Sequence, residues 1–452
     1  MKIRQVAIKN LFGYMDPKIA LNTSESITII HGPNGCGKTT ILELVRAVFD
    51  TDMGYLRRVP YESIEICFDD GTKLQVRRTE EQSTLQAGKP RRQPKIQIGY
   101  SATYADHTQQ EYTHGPSIAR ERQIPLSMIE KEIPELVRIG AREWLNRRTD
   151  QVMSLEDVAE AYDEQIIWPR KERQLPEWLE KLVQSVRVYL IRSQRLLLPT
   201  RYSYGREEAP SEVITETIEL FARELAKIIS ERLAESVSIS QSLDRSFPSR
   251  LLSAGNADTI DEGTLRRKYA EVEERREQLM AVGLIEEEGR VWLPGQSMDA
   301  TERKVLSLYI EDTEKKLHAF DELQRKLAAF SDIINSKMSS TKSIVIDRRK
   351  GFLFKTIGGS GQDLSPKQLS SGEQHQVVLF YDLIFRAKAE SLILIDEPEI
   401  SLHVSWQRQF LKDLLRVNTL NKQEFLIATH SPQIIHDRWD LAVPLDGGLS
   451  RE

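Results

Sequence analysis

The sequence contains few cysteines, no long apolar run and no excess of basic charge. Its 452 residues include only Cys36 and Cys67, and neither stands in a spacing typical of metal ligands. No run of about 18 apolar residues occurs, so we expect no membrane-spanning segment and no membrane partner. The formal net charge of −5 excludes a globally basic nucleic-acid binder. Together these absences favour a protein of the reducing cytoplasm.

Basic residues are nevertheless grouped along the chain. If several groups converge on one face they would bind a phosphate backbone, and if they are scattered they are solvated surface. The sequence leaves both interpretations open, so DNA stays a possible partner. The groups are Arg57–Arg58, Arg77–Arg78, Lys89–Arg92, Arg147–Arg148, Arg266–Lys268 and Arg348–Lys350.

The clearest motif follows the β-branched run Ser26–Ile30. The segment from Gly32 to Thr39 matches the pattern G-x-x-x-x-G-K-[ST], and an apolar-periodic helix is predicted to begin beside it. Glycines let backbone N–H groups surround phosphate oxygens, while the lysine charge and the threonine hydroxyl serve the phosphates and Mg²⁺. We therefore predict that ATP and Mg²⁺ bind here, with Gly32, Pro33, Asn34, Gly35, Cys36, Gly37, Lys38, Thr39 and Thr40 in contact with the nucleotide.

A second motif is the apolar run Leu392–Ile395, which ends in Asp396 and Glu397. Four consecutive large apolar residues indicate a strand covered on both faces, as in a parallel sheet. Acids at the carboxyl end of such a strand point into a ligand crevice. By itself the pattern also fits a strand that meets a polar turn. Beside a phosphate-binding loop it predicts Asp396 as a Mg²⁺ ligand and Glu397 as the residue that orients and deprotonates the attacking water.

A third motif, Leu369-Ser370-Ser371-Gly372-Glu373-Gln374, precedes that strand by one predicted helix. Alone it reads as a helix N-cap followed by an early acid. Together with the other two motifs it resembles the signature of the ATP-binding cassette family. The resemblance implies that Ser370, Ser371, Gly372 and Glu373 cap the γ-phosphate held by a second subunit. ATP would then be bound between two protomers of a dimer or larger homo-oligomer.

Three weaker matches follow the same family order. Glu399–His403 corresponds to the family's D-loop, and His430-Ser431-Pro432 to its switch histidine, although His-Ser-Pro alone also fits a turn. Gln194, which follows the strand predicted at Val186–Ile191, corresponds to the Mg²⁺-sensing glutamine. The resemblance therefore implies Lys38, Glu397 and His430 as catalytic residues, and Thr39, Asp396 and Gln194 around the metal.

The predicted fold class is α/β, an ABC-type ATPase head with an antiparallel or mixed sheet lobe, a parallel P-loop core and a helical insertion. We predict an N-terminal ATPase lobe over 1–120, a helical insertion over 121–340 and a C-terminal ATPase lobe over 341–452. A strand at 186–195 returns to the ATPase core. Residues 125–180 are predicted to be mostly helical. Leu306, Ile310, Thr313 and Leu317 are spaced 4-3-4, which predicts a short coiled-coil arm.

The long helical insertion distinguishes the chain from transporter cassettes. It resembles the branch that contains SMC-type repair ATPases and OLD-like defence ATPases. OLD nucleases carry a TOPRIM domain after the ATPase part, whereas 22 residues follow His430 here. We therefore expect no nuclease activity of its own. The chain most resembles the ATPase subunit of Septu-type anti-phage systems, which implies slow or regulated hydrolysis and a separate HNH nuclease as partner. A DNA-repair clamp that grips DNA directly, or a nucleotide sensor that barely turns over, remains an alternative.

Overall fold

The structure is a computed structural model. It describes residues 1–81, 95–114, 129, 133, 136–140, 143–146, 151–155, 158, 175–202, 211–253, 261–286, 289–338, 341–358 and 361–445. The chain forms two compact units. The first consists of Met1–Arg192, Ala389–Pro398 and Gln423–Glu452, and the second of Ser193–Lys388 and Glu399–Lys422. The three-part division predicted from the sequence remains a prediction.

The strands of the described residues are numbered along the chain. They are β1 (Ile3–Lys9), β2 (Lys18–Ala20), β3 (Ile27–His31), β4 (Ser63–Phe68), β5 (Lys73–Glu81), β6 (Lys95–Thr103), β7 (Gln109–His114), β8 (Leu136–Arg138), β9 (Glu143–Asn146), β10 (Gln151–Ser154), β11 (Val188–Ile191), β12 (Leu197–Tyr202), β13 (Ser211–Glu216), β14 (Lys342–Asp347), β15 (Gly351–Thr356), β16 (Asp363–Leu364), β17 (Leu392–Asp396), β18 (Glu424–Thr429) and β19 (Ala442–Pro444).

The α-helices of the described residues are numbered in the same way. They are α1 (Lys38–Phe49), α2 (Met53–Arg58), α3 (Glu177–Gln184), α4 (Thr217–Ser253), α5 (Glu262–Ala281), α6 (Ala300–His318), α7 (Asp321–Lys337), α8 (Ser371–Tyr381), α9 (Val404–Asn421) and α10 (Pro432–Ile435). None of them combines the length and the apolar character needed to cross a membrane.

The first unit contains an antiparallel sheet in the order β2-β1-β4-β5-β6-β7. The turn Asp69–Gly71 joins β4 to β5, and its glycine accepts the left-handed backbone that such a turn needs. The register pairs Ile64 with Val76 and Ile66 with Leu74. All four side chains are buried, so this face of the sheet contributes to the core.

A second sheet of the first unit is parallel throughout, in the order β11-β17-β18-β3-β19. Every residue of β17 is buried, as its unbroken apolar sequence predicted. The register pairs Asp396 with Ala428 and Thr429 with His31. The carboxyl ends of β17, β18 and β3 therefore lie side by side at one edge of the sheet.

Helix α1 joins the two sheets of the first unit into one core. Its buried apolar residues, among them Ile41, Leu44 and Val48, belong to a hydrophobic cluster that also includes Val76 of the antiparallel sheet and Leu394 of the parallel sheet. The start of α1 is thereby held at a fixed position beside β3. The predicted fold class, a parallel P-loop core with an antiparallel lobe and helical insertion, is confirmed.

The second unit is built around helices and the antiparallel sheet β14-β15-β16. The hairpin of β14 and β15 pairs Val345 with Leu353. Helix α4, with 37 residues, packs on β15 and on α6. Ile310, Thr313 and Leu317 of α6 are buried on its packed face. Coiled-coil pairing along this arm stays a prediction.

The sequence prediction for residues 125–180 is wrong over part of that range. The described residues form a three-stranded antiparallel sheet, β8-β9-β10, between 136 and 154. Trp144 and Met153 are buried there in a small separate hydrophobic cluster. Each strand has only three or four residues, too few for a period of two to be distinguished from a helical pattern. Helix α3 within the same range agrees with the prediction.

Candidate functional site

The phosphate-binding loop connects the end of β3 to the start of α1. Gly35 and Gly37 have φ values of 83° and 80°, a left-handed backbone that glycine adopts without a steric penalty. Gly37 is the N-cap of α1 and provides no side-chain hydrogen bond, so the N–H groups of the first turn face outward to a ligand. The helix N-terminus also carries the positive end of its dipole. This arrangement fits a bound phosphate.

Lys38 is folded into the loop that it follows. Its Nζ donates hydrogen bonds to the carbonyl oxygens of Gly32 and Pro33, at 2.9 and 3.0 Å. The side chain is buried, as is Cys36, whereas Pro33, Asn34 and Gly35 are exposed. The loop therefore surrounds a cation and leaves its other side open. A polyphosphate is a ligand of matching charge.

Thr39 and Asp396, which lie 357 positions apart, meet at the edge of the parallel sheet. The Thr39 hydroxyl donates to both carboxylate oxygens of Asp396, at 2.9 and 3.1 Å. Asp396 is only 3% exposed. A hydroxyl and a carboxylate are the hard oxygen ligands that Mg²⁺ prefers, so this pair fits the ion together with nucleotide phosphates.

Glu397 and His430 follow two neighbouring strands, β17 and β18. The Glu397 backbone N–H donates to the Ala428 carbonyl at 2.9 Å, and its φ is 44°. A left-handed backbone is unfavourable for glutamate, and such strain is concentrated at functional positions. Nδ1 of His430 lies 4.0 Å from Oε1 of Glu397. The structure thus brings together two of the residues predicted as catalytic.

Two hydrogen bonds stabilise the turn after His430. The backbone N–H of Ser431 donates to the Thr429 hydroxyl at 3.0 Å, and the Ser431 side chain accepts from Gln433 N at 3.2 Å. Pro432 then begins α10, where its fixed φ favours the first helical turn. The His-Ser-Pro sequence is therefore also a turn, and that turn fixes the backbone from which His430 projects.

A cavity of about 490 Å³ lies beside the phosphate-binding loop. It is lined by His31, Gly32, Pro33, Asn34, His430, Pro444 and Leu445. Its volume is within the usual range for small-molecule sites. His31, which also contacts Trp439 edge to face, was not identified from the sequence. The sequence feature that could have indicated His31 is its position as the last residue of β3, directly before the loop.

Phe12 is a second residue whose position the sequence left undecided. A side chain at Gly37 would approach the Phe12 ring to 3.2 Å, so this aromatic lies against the end of the phosphate-binding loop. Phe12 is stacked with Tyr14 at 6.4 Å, and Tyr14 is 60% exposed. Phe12 is half-buried against the core, so Tyr14 is the ring of this pair that is open to a nucleobase.

In the second unit, the signature residues form the start of α8. Ser370 is the N-cap, and the Ser370 and Glu373 side chains make a reciprocal capping box. Lys342 donates to both carboxylate oxygens of Glu373, at 3.0 and 2.9 Å. Burial raises the pKa of Glu373, but hydrogen bonds from Lys342 and Ser370 outweigh it and hold that pKa below its usual value. The motif therefore forms the helix N-cap that its sequence alone also predicts. The cap also fixes the backbone of Ser371 and Gly372.

Gly372 lies against the segment predicted as the D-loop. A Cβ at this position would stand 2.4 Å from the carbonyl oxygen of Ser401, so any side chain would force the backbone to shift. Ser401 itself has a φ of 60°. Glycine in the signature is thus required by close packing inside this subunit, whatever it contacts in another one.

Arg195 and His375 form a buried hydrogen bond that the sequence did not suggest. Arg195 Nε donates to His375 Nδ1 at 3.0 Å, and both residues are buried. Burial, and the charge of Arg195, lower the pKa of His375 to about 4. This bond fixes α8 to the residue after Gln194. Gln194 is exposed, three positions after the end of β11, and its role as a metal-sensing residue stays a prediction.

The sequence profile of the AAA ATPase domain family matches residues 1–435, almost the whole chain. The chain belongs to this family. ATP binding and ATPase activity are the properties that the family description carries, and they agree with the loop, the acidic strand end and the adjacent cavity. The family assignment and the parallel P-loop sheet support the prediction that the chain is an α/β ATPase that binds ATP.

Curated relatives of this AAA ATPase match a part of it. The retron Ec83 probable ATPase of Escherichia coli is 26% identical over 146 residues, which are 30% of this chain and 24% of that protein. The retron Vc95 probable ATPase of Vibrio cholerae serotype O1 biovar El Tor is 27% identical over 137 residues, 28% of this chain and 24% of that protein. The matches thus span about a quarter of the length of these relatives.

Among solved structures, the Smc head domain of Pyrococcus furiosus, with an extended coiled coil and bound to the C-terminal domain of ScpA, is similar at a TM-score of 0.34. Its identity to this chain is 14%, and the comparison covers 99% of this chain and 94% of that one. A second SmcHead structure, bound to the C-winged helix domain of ScpA, has a TM-score of 0.33 and 10% identity, with 96% and 91% covered.

Proposed function

We propose that this AAA ATPase is the nucleotide-hydrolysing subunit of a bacterial anti-phage defence complex in the cytoplasm, and that it controls a separate nuclease subunit. The hydrogen bond between Thr39 and Asp396 carries the first half of the proposal, because it joins the phosphate-binding loop to the acidic strand end. The partial similarity to two retron ATPases supports the defence role. Assignment to a Septu-type system, and an HNH nuclease as partner, are the more specific form of the proposal.

The chemistry follows from the residues at the edge of the parallel sheet. Lys38 would place its charge on the β- and γ-phosphates, and Thr39 and Asp396 would hold Mg²⁺, which supplies charge neutralisation at the phosphates. Glu397 would orient the attacking water and accept its proton as the water oxygen bonds to the γ-phosphorus. The bond between the γ-phosphorus and the β–γ bridging oxygen would break in the same step, and ADP would leave with that oxygen. His430, 4.0 Å from Glu397, would contact the transferred phosphate from the neighbouring strand.

The signature would act on the nucleotide of a second copy. Ser370 and Gly372 start α8, where backbone N–H groups and the positive end of the helix dipole favour an anion. In the proposed dimer these groups complete the site of the opposite subunit. ATP would then favour the closed pair and its hydrolysis the open pair, because only the closed pair contacts the γ-phosphate from both sides. Slow, regulated turnover suits such a switch.

The experiment that tests this proposal uses the Glu397→Gln variant of the full chain. Hydrolysis should fall by at least about a hundredfold, with ATP still bound and the dimer enriched in the presence of ATP. Glu390→Gln, at an exposed position before the same strand, is the matched control and should behave as the wild type. Unchanged hydrolysis in Glu397→Gln would remove the catalytic assignment.

The same variant tests the partner. A tagged Glu397→Gln protein is purified from its native cells, and the proteins that elute with it are identified by mass spectrometry. A stoichiometric small nuclease supports control of a separate effector. An eluate that contains only this chain and bound DNA would instead favour an SMC-type repair clamp, whose DNA affinity should fall steeply with salt as counterions are released.

A further inference from the structure

A groove of about 390 Å³ opens between helices α7 and α9 of the second unit. Ala329, Leu415 and Leu420 form its apolar lining, and the polar lining residues are Asp332, Lys412, Arg416 and Thr419. None of these residues belongs to the phosphate-binding loop, the signature or the acidic strand end. The groove is therefore a feature that the proposed ATPase chemistry does not use.

A buried ion pair holds the two helices of the groove together. Lys337, at the end of α7, pairs with Asp413 of α9, and Lys337 is only 1% exposed. Lys337 also lies 3.4 Å from Oε1 of Gln409 on α9. Removing one partner of a buried ion pair leaves an uncompensated charge, so the two helices are strongly constrained. The groove is thus preformed.

The α9 side of the groove carries a row of cations. Arg408, Lys412 and Arg416 are spaced four residues apart and are all exposed, which places them on one helical face at intervals of about 6 Å. Of these three, Lys412 and Arg416 line the groove itself. Asp413, the one acidic residue of α9, is turned away into the buried pair. A chain with a net charge of −5 therefore presents here a positive stripe beside an apolar surface.

One acidic residue stands on the opposite side of the groove. Asp332 accepts a hydrogen bond from Arg416 at 3.0 Å, and the two side chains are 64% and 50% exposed. An ion pair as exposed as this contributes little to stability, so a competing carboxylate can replace Asp332 at little cost. Lys412 and Arg416 are then both available to an acidic ligand.

We propose that this groove binds an acidic amphipathic helix of the partner subunit. Apolar side chains of that helix would pack on Ala329, Leu415 and Leu420, and carboxylates four residues apart would face Lys412 and Arg416 at the same interval of about 6 Å. A nucleic-acid backbone fits less well, because the apolar part of the lining offers it no contact. The inference rests on the proposed control of a separate subunit and specifies where that subunit docks.

The test is photocrosslinking with the full chain. p-Benzoylphenylalanine replaces Thr419, which is exposed in the groove, and cells of the native host are irradiated. The crosslinked peptide is sequenced by mass spectrometry. We expect one protein, crosslinked through a segment with carboxylates four residues apart and apolar residues between them. The double substitution Lys412→Glu and Arg416→Glu should reduce the crosslink at least tenfold.

A second double variant, with two positive charges reversed on another helix, controls for a general effect of lost positive charge. Arg223→Glu and Lys227→Glu change two exposed cations, also four residues apart, on α4, and should leave the crosslink unchanged. The proposal is overturned by a crosslink to nucleic acid, by one that survives reversal at 412 and 416, or by the lack of any protein crosslink. ATPase activity of both double variants should equal that of the wild type. Absence of hydrolysis in the wild type would instead refute the proposed function itself.

Discussion

Nδ1 of His430 lies 4.0 Å from Oε1 of Glu397, and each residue directly follows a strand of the parallel sheet. The two strands are hydrogen-bonded neighbours, with Asp396 opposite Ala428. The sheet therefore sets the separation of the imidazole and the carboxylate to within a side-chain rotation. Both side chains can therefore contact one shared ligand without backbone movement at either residue.

We expect His430→Ala to lower ATP hydrolysis about a hundredfold, because the site loses a polar group positioned beside the base. ATP binding should change little, since the loop and Lys38 are untouched. The measurement is steady-state phosphate release together with the affinity for a fluorescent ATP analogue. His318→Ala, whose side chain is 83% exposed on α6, serves as the control. Equal losses in both variants would show that His430 has no special role.

We expect Asp396→Asn to lower the apparent affinity for Mg²⁺ without lowering the thermal stability of the fold. The amide oxygen can still accept the hydrogen bond from Thr39, but the negative charge that would hold the metal is gone. The Mg²⁺ concentration for half-maximal hydrolysis should rise about tenfold to a hundredfold. A Mg²⁺ titration of ATPase activity measures this. An unchanged midpoint, with normal thermal stability, would exclude Asp396 from the metal site.

Gly372→Ala tests the close packing of the signature against Ser401. The added methyl group would stand 2.4 Å from a backbone carbonyl, so the start of α8 or the predicted D-loop must shift. We expect a loss of about 1–3 kcal/mol in the free energy of unfolding, together with impaired ATP-driven dimerisation. Gly289→Ala, where no atom lies within 4 Å, is the control. A Gly372→Ala protein as stable and as active as this control would contradict the packing argument.

The buried bond between Arg195 and His375 predicts an acid-sensitive stability. The pKa of His375 is lowered from 6.5 to about 4, so the unfolded chain binds more protons between these values and stability falls as the pH drops through this window. At pH 5 the loss is about 2 kcal/mol relative to pH 7.5.

Urea unfolding at the two pH values measures this loss. In His375→Gln the side chain can still accept from Arg195 but does not titrate, and the pH-dependent loss should shrink by that amount. The same pH-dependent loss in wild type and variant would show that His375 is not its source.

Local features of the sequence determined much of the candidate site. The loop from Gly32 to Thr39, the apolar strand before Asp396 and the cap at Ser370 each depend on neighbours within a few residues, because glycine backbones, strand burial and helix caps are short-range properties. The roles of the individual site residues remain predictions, although the geometry agrees with several of them.

The tertiary structure alone decided which distant residues meet. Arg195 and His375 are 180 positions apart, and no local pattern marks either of them as a partner of the other. On α4, Ile229 is buried in line with Phe221 and Leu225, whereas a heptad seam through those two residues would continue at position 228. A helix that packs on the strand β15 as well as on other helices follows the 3.6-residue period of a general apolar face. A strict 3.5-residue seam arises only between paired helices. Sequence periodicity shows that a face is buried, and only the fold decides against what.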